Sequence, residues 1–110
     1  MATPRPGRPV RGSRTGRPIM AALDLFGRRW ALRVLWELRN GPASFRALRE
    51  RCDRVSPTVL NQRLAELRES GIVAHAARSG YSLTPVGESL LAALAPLSDW
   101  AVRWARARRR

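Results

Sequence analysis

The sequence predicts a mainly α-helical domain that carries one small β-hairpin. Apolar residues recur three and four positions apart in several stretches, which is the spacing of one helix face. Capping residues or prolines stand at the starts of several of these stretches, and glycines follow some of their ends. Two short apolar segments on either side of Arg78-Ser79-Gly80 have instead the pattern of two strands joined by a turn.

The first two predicted helices occupy residues 20–26 and about 28–39. The second helix has Trp30 near its start and ends at Asn40-Gly41-Pro42, because a proline cannot continue a helix.

A third and a fourth helix are predicted on either side of a turn at residues 53–55. Ser44 caps the third helix and Ser56 caps the fourth. Pro57 fits the first position of the fourth helix, and Gly71 fits the left-handed position that ends it. Two helices joined by a tight turn form a helix-turn-helix, whose second helix enters the major groove of DNA.

The fourth helix has a buried stripe and a polar face. Its inward positions are leucines, and the side chains that point away from them are Thr58, Asn61, Gln62 and Ala65. Asn and Gln side chains donate and accept hydrogen bonds at once, which matches the N6 and N7 edge of adenine. We therefore predict that Thr58, Asn61 and Gln62 read bases, the alternative being an ordinary surface helix.

Other residues are predicted to contact the DNA backbone. Ser56 and Arg63 are expected to fix the fourth helix against phosphates, unless Arg63 pairs with Glu66 instead. Arg78, at the tip of the hairpin, is a candidate for a phosphate or minor-groove contact. The further candidates for DNA contact are Ser44, Arg46 and Pro57.

The second half of the chain predicts a wing and a long helix. Ile72-Val73 starts a strand, and Tyr81-Ser82-Leu83 returns with alternating outward and inward positions. Thr84 caps the long helix, and Pro85 occupies its first position. A hairpin after the two helices makes the predicted architecture a winged helix-turn-helix with a C-terminal dimerisation helix.

The long helix carries a seam of apolar and small residues at alternating spacings of three and four, from Gly87 to Trp104. Pro96 lies inside this seam and is expected to kink or split the helix. The seam either packs on its own domain or forms a homodimer, which we favour because two DNA half-sites need two recognition helices. The predicted interface comprises Leu23, Leu90, Leu94, Leu97, Trp100, Ala101 and Trp104.

Charge divides the chain into a domain at residues 19–104 and two basic tails, residues 1–18 and 105–110. The net charge is +13, and neither tail contains an acidic residue. The first tail is rich in Arg, Pro and Gly and is expected to be disordered when free. Three interpretations of this tail stay open: it is an arm that enters the minor groove of DNA, an inert tail, or a leader that precedes a natural start at Met20.

These motifs, in this order, resemble the HxlR family of bacterial winged helix-turn-helix transcriptional regulators. The resemblance runs from about Pro18 to Trp104 and implies a homodimer that binds an operator. Its carriers are Ala22-Leu23-Asp24-Leu25-Phe26-Gly27, Trp30, Leu35, Leu38, Gly41-Pro42, Phe45, Leu48, Ser56-Pro57, Val59-Leu60, Gln62-Arg63-Leu64, Glu66-Leu67, Gly71, Tyr81-Ser82-Leu83-Thr84, Gly87 and Leu90-Leu91.

Three positions depart from the family pattern. Arg17 stands where many relatives have a Cys, some of which sense oxidants or electrophiles, so the resemblance gives thiol sensing little support here. Thr58 stands where relatives often have Lys, which removes one expected DNA contact. The wing between Val73 and Tyr81 is also shorter than in most relatives, which bears on its reach along the minor groove.

The sequence predicts neither catalysis nor a metal or cofactor site. It contains no glycine-rich phosphate loop, no paired Cys motif and no nucleophile with an evident base. Cys52 is expected to be buried and slow to react, and His75 to face solvent or a phosphate. The absence of an apolar run near 18 residues predicts no membrane span, and a lone Cys agrees with a reducing cytoplasm.

The predicted function is that of a sequence-specific regulator bound to double-stranded DNA, cytoplasmic and associated with the nucleoid, with an unknown small-molecule effector as a further partner. Two alternatives stay open. A non-specific architectural protein would bind DNA through its Arg-rich tails, and a protein-interaction module would use the wing and the tryptophan seam on a partner.

Overall fold

The computed structural model describes residues 3–10 and 16–109 of the chain. Within this part, five helices and a two-stranded antiparallel hairpin follow one another in the predicted order, which confirms the mainly α-helical class. Their bounds are α1 Pro18–Phe26, α2 Ala31–Glu37, α3 Phe45–Arg51, α4 Pro57–Glu69, β1 Val73–Ala76, β2 Gly80–Leu83 and α5 Pro85–Arg108.

Three predicted helix caps are confirmed by their hydrogen bonds. The side-chain oxygens of Ser44, Ser56 and Thr84 each accept a bond from the backbone N–H three residues later, at 3.0, 3.1 and 3.1 Å. Pro57 and Pro85 occupy the first position of their helices, where a missing N–H costs nothing. The starts of α3, α4 and α5 therefore follow from local sequence.

The core is built on the leucine stripe of α4. Leu60, Leu64 and Leu67 are at most 2% exposed, and burying each leucine contributes about 1.5–3 kcal/mol. They pack with buried residues from α1, α2, α3 and β1, so the predicted inward face of α4 is confirmed. The other members of this core cluster include Leu25, Val34, Leu35, Leu38, Leu48, Cys52, Ile72 and Val73.

The turn between α3 and α4 is tight and held by arginines. Asp53 and Arg54 both have left-handed backbones, with φ of 56° and 58°, a conformation that non-glycine residues adopt at a cost. Arg49 Nε donates to the Val55 carbonyl oxygen at 2.9 Å, and Arg33 Nη1 lies 3.3 Å from Asp53 Oδ2. These contacts fix the angle at which α4 leaves α3.

The hairpin is joined to the rest of the domain by its second strand. Tyr81 exchanges two backbone hydrogen bonds with Ala43, of 2.8 and 2.9 Å, while β2 pairs with β1 on its other edge. Gly80 has φ of +84°, and a Cβ there would lie 2.5 Å from the Ala43 oxygen. All four residues of β2 are half-buried, because β2 also contacts α5, and Tyr81 and Leu83, two positions apart, both pack against the core.

Two predicted helix starts and one predicted helix break need correction. α2 begins at Ala31 and not near residue 28, because Trp30 takes a left-handed backbone with φ of 76° that a helix cannot include. α1 begins at Pro18, two residues earlier than predicted, since proline is favoured at a first helical position. α5 is not split at Pro96 but runs unbroken through it.

Residues 3–10 lie beside the domain. Thr3 Oγ1 donates to Glu69 Oε2 at 2.8 Å, Arg5 Nη2 donates to Glu69 Oε1 at 3.3 Å, and Pro4 is buried. The predicted boundaries at residues 18 and 104, and the disorder of the free first tail, stay predictions. Residues 1–2, 11–15 and 110 of the two predicted tails lie outside the described residues.

Candidate nucleic-acid interface

α4 presents a polar face opposite its buried leucines. Thr58, Asn61, Gln62 and Ala65 are all exposed, as the helical spacing predicts. The buried stripe anchors the helix, so these side chains extend from a rigid support. Such a face can donate to and accept from the edges of bases in a major groove.

One flank of this face opens toward the wing. A cleft of about 390 Å³ lies between α3, α4 and the hairpin, and its lining includes Ser44, Asn61 and Arg78. Three residues predicted from separate motifs to contact DNA are therefore brought together. His75 and Tyr81 also line the cleft, with ring centroids 4.5 Å apart.

The other flank faces the loop between α1 and α2. Gln62 and Arg63 line a second cleft, of about 370 Å³, together with Arg28 and Thr3. Asn61 and Gln62 thus border different clefts, because adjacent helix residues point about 100° apart.

An ion-pair network around Glu66 braces α4 on this second flank. Glu66 pairs with Arg28 through one carboxylate oxygen and accepts from Arg63 Nη1 at 2.5 Å through the other. Arg63 Nε also donates to the Arg29 carbonyl oxygen at 2.7 Å. Of the two roles considered for Arg63, this structure contains the pairing with Glu66, and the phosphate contact stays a prediction.

Three arginines near α4 have exposed guanidinium groups that can contact DNA. The exposed side chains of Arg46, Arg54 and Arg78 make no ion pair or hydrogen bond within residues 3–10 and 16–109. Arg54 is absent from the sequence-based candidates, which treat residues 53–55 only as a turn. An arginine two positions before the N-cap of a recognition helix is the signal that could have identified it.

Comparison with known proteins now gives the family. A family model described as HxlR-like helix-turn-helix matches residues 25–109. The chain belongs to this family. The helix-turn-helix-type transcriptional regulator YvaP of Bacillus subtilis is 33% identical over 89 residues, which are 76% of this chain and 82% of YvaP.

Solved structures of HxlR-type regulators confirm the winged helix-turn-helix fold. Quinone-bound YodB from B. subtilis has a TM-score of 0.71 at 30% identity, covering 77% of this chain and 94% of that chain. A possible HxlR family transcriptional factor from Thermoplasma volcanium has a TM-score of 0.70 at 27% identity, covering 77% and 82%.

The predicted dimer seam of this HxlR-like chain separates into two parts. Leu90 and Leu94 are half-buried and pack against the domain's own core. The seam residues that stay exposed are Leu23 on α1 and, on α5, Leu97, Trp100, Ala101 and Trp104. Gly87 belongs to neither part, because it is buried against the carbonyl of Ile72.

Cys52 is a buried core residue, as predicted. Burial raises the pKa of its thiol, and only the charge of Arg33 acts to lower it. The described part of the chain contains no group of three or more His, Cys, Asp or Glu residues placed to hold a metal ion. Among the described helices, none combines the length and the apolar character that a membrane span requires.

Proposed function

We propose that this HxlR-like protein regulates transcription by binding an operator in double-stranded DNA as a homodimer. In this proposal the protein binds DNA without catalysing a reaction, and it acts at the nucleoid in the cytoplasm. The exposed amide face of α4 carries the proposal, since that helix is held by core packing on one side and by the Glu66 network on a flank.

Base reading is assigned to Thr58, Asn61 and Gln62. With α4 in the major groove, the two amides reach adenine edges and the threonine methyl and hydroxyl reach neighbouring positions. Each well-formed pair with a base contributes about 1–3 kcal/mol of discrimination.

Backbone contacts are assigned to the residues around that face. Arg78 on the wing, Arg46 on α3 and Arg54 in the turn have exposed guanidinium groups that can neutralise phosphates. The hydroxyls of Ser44 and Ser56 accept their capping bonds and still have a proton to donate to a phosphate oxygen.

Dimerisation is assigned to α1 and α5. Leu97, Trp100 and Trp104 are each about half exposed, and the two indole rings stack at 5.5 Å. A helix end with this much exposed apolar surface gains by burial against a second copy. The interface would also include Leu23, Leu90, Leu94 and Ala101.

A small organic effector is also part of the proposal. The relative YodB has been solved with quinone bound, which supports a response to organic molecules in this family.

The test compares binding of the purified protein to the intergenic DNA beside its own gene and to scrambled DNA of equal length. At about 0.15 M salt, electrostatic contacts of the tails are partly screened. We expect a preference above about a thousandfold for the natural sequence. Equal affinity for the two DNAs would contradict the proposal.

A variant without residues 1–18 and 105–110 separates this role from architectural binding. If α4 reads the operator, the shortened protein keeps its preference for the natural sequence while its overall affinity falls. Because the deletion also removes the first residue of α1 and the last turn of α5, circular dichroism checks that the shortened protein folds. Loss of nearly all affinity for both DNAs by the folded, shortened protein would instead assign binding to the arginine-rich tails.

A further inference from the structure

A cavity of about 750 Å³ lies between α1, α5 and the end of α4, away from the residues assigned to DNA. Its volume is within the range of sites that hold small organic ligands. Its walls are α1, α5, the 69–72 segment and residues 3–6, which we call the strap. The lining residues on the two helices include Ala21, Ala22, Val86, Ser89, Leu90 and Ala93.

Small side chains on facing helices keep this cavity open. Ala21 and Ala22 line it from α1, and Ala93 lines it from α5. The exposed residues Ile19 and Leu23 are not among the lining residues of α1. On α1, the residue assigned to the partner subunit, Leu23, is therefore separate from the residues that line the cavity, whereas Leu90 on α5 belongs to both sets.

The strap closes one side of the cavity. Pro4 is buried there, and Thr3 and Arg5 both bond to the carboxylate of Glu69, at 2.8 and 3.3 Å. Glu69 is the last residue of α4, so the strap is attached to the end of the proposed recognition helix.

The polar groups of the lining are already paired. Arg5 and Glu69 pair with each other, Ser70 Oγ donates to the Glu66 carbonyl and Ser89 Oγ donates to the Val86 carbonyl, both at 2.8 Å. A charged ligand would lose hydration without gaining a free counter-charge. The lining therefore favours an uncharged ligand, and it holds no cysteine to bind one covalently.

We propose that this cavity binds an uncharged, largely apolar small molecule and that its occupancy changes operator affinity. This rests on the proposed function and gives its effector a site and a chemical class. A ligand there touches α1, which would carry the partner subunit, and the end of α4, which would read DNA. The bound ligand changes the affinity for the operator by a limited factor. That factor is the ratio of the ligand's own affinities for the free and the DNA-bound arrangements of these helices.

The first experiment measures ligand binding with N-phenyl-1-naphthylamine, an uncharged apolar dye whose fluorescence rises on leaving water. The full-length protein is titrated with the dye, and we expect saturation at one dye per chain. Ala93→Phe fills the cavity and should weaken dye binding at least about tenfold. Ala92→Phe is the matched control, because Ala92 is exposed on α5 and does not line the cavity.

Dye binding that is equal in wild type and Ala93→Phe would overturn the proposal, and so would equal weakening by both variants. Circular dichroism checks that the variants fold. If Ala93→Phe does not fold, Val86→Trp blocks the cavity from a residue that is already 59% exposed. If side chains of the partner subunit fill the cavity, the dimer binds no dye there, which would also overturn the proposal.

The second experiment measures operator affinity with and without saturating dye. Wild type should change its affinity at least about threefold, within the usual range of coupling between sites, and Ala93→Phe should not change. An operator affinity that is the same with and without bound dye would overturn the regulatory part of the proposal. Dye binding by a protein that never prefers an operator would overturn the proposed function and leave the cavity site standing.

Discussion

Side chains on α4 point in three directions, and each direction has a different consequence. Leu64 and its neighbours in the stripe hold the helix on the core, Asn61 borders the cleft beside the wing, and Gln62 borders the cleft beside Arg28. Asn61 and Gln62 are adjacent in sequence but lie on different flanks. Their substitution should therefore affect different base positions of an operator.

Replacing Gln62 with alanine should weaken binding to a matched operator by about 1–3 kcal/mol and leave binding to random DNA nearly unchanged. The reason is that the amide pairs with a base edge and contributes little to phosphate contacts. Fluorescence anisotropy on both DNAs measures the two losses. Equal losses on both DNAs would show that Gln62 reads no base.

Glu69 should titrate below the ordinary range of a glutamate. The hydrogen bond from Thr3, followed by that from Arg5, lowers the pKa of its carboxyl. Because the folded pKa is lowered, this contact stabilises the strap above the unfolded pKa and is lost as pH falls through the folded value. Carboxyl carbon shifts in an NMR titration should give a higher Glu69 pKa in the Thr3→Ala, Arg5→Ala double variant. Identical Glu69 values in the two proteins would argue against the strap contact.

The crossing of α5 over the start of β1 depends on one glycine. Gly87 has no Cβ, which allows its backbone to approach the Ile72 carbonyl closely. Thr84 supports the same crossing, because its Oγ1 donates to the Gly71 carbonyl at 2.6 Å. Hairpin and long helix are therefore positioned as one unit.

Replacing Gly87 with alanine should destabilise the protein by about 1–3 kcal/mol, because the added methyl group overpacks this contact. Urea denaturation measures the free energy of unfolding. Glu88→Ala is the control, since it alters the next position of the same helix at an exposed side chain. If the two variants are equally stable, the close approach is not a packing constraint.

In the molecule as a whole, arginines have two separate uses. Within the domain, Arg28, Arg33 and Arg63 form ion pairs with acids. Each of the three also bonds to a residue in another part of the chain, namely Glu66, Arg51 and Arg29. The excess behind the net charge of +13 lies mainly in the predicted tails, which contain no acid. Salt should consequently weaken DNA binding strongly while changing the fold little.

Replacing Trp104 with alanine should raise the dimer dissociation constant at least about tenfold, because buried tryptophans dominate the energy of interfaces. Sedimentation equilibrium measures this constant. Trp36→Ala is a matched control, since Trp36 is an exposed tryptophan on α2, outside the proposed seam. Equal effects of the two substitutions would argue against the seam as the dimer interface.

Local signals were sufficient for most elements and for the exposed face of α4. Capping residues, prolines and leucine spacing act within one or two helical turns, so the caps at Ser44, Ser56 and Thr84 could be predicted and are confirmed. The left-handed Trp30 could not be predicted, because nothing in its neighbours requires a positive φ. Trp30 packs against a core whose members are distant in sequence, so its surroundings are set by the tertiary structure.

The order of elements, the buried stripe of α4 and the amide face opposite it are consequences of short-range spacing, and the residue pattern alone was enough to predict them. Tertiary structure decided which residues meet across the chain. It placed Asn61 and Arg78 on one cleft, paired Arg28 with Glu66, joined the strap to Glu69 and opened the cavity between α1 and α5. These contacts depend on how helices pack in space, which is set by the whole core and is not written in any one segment.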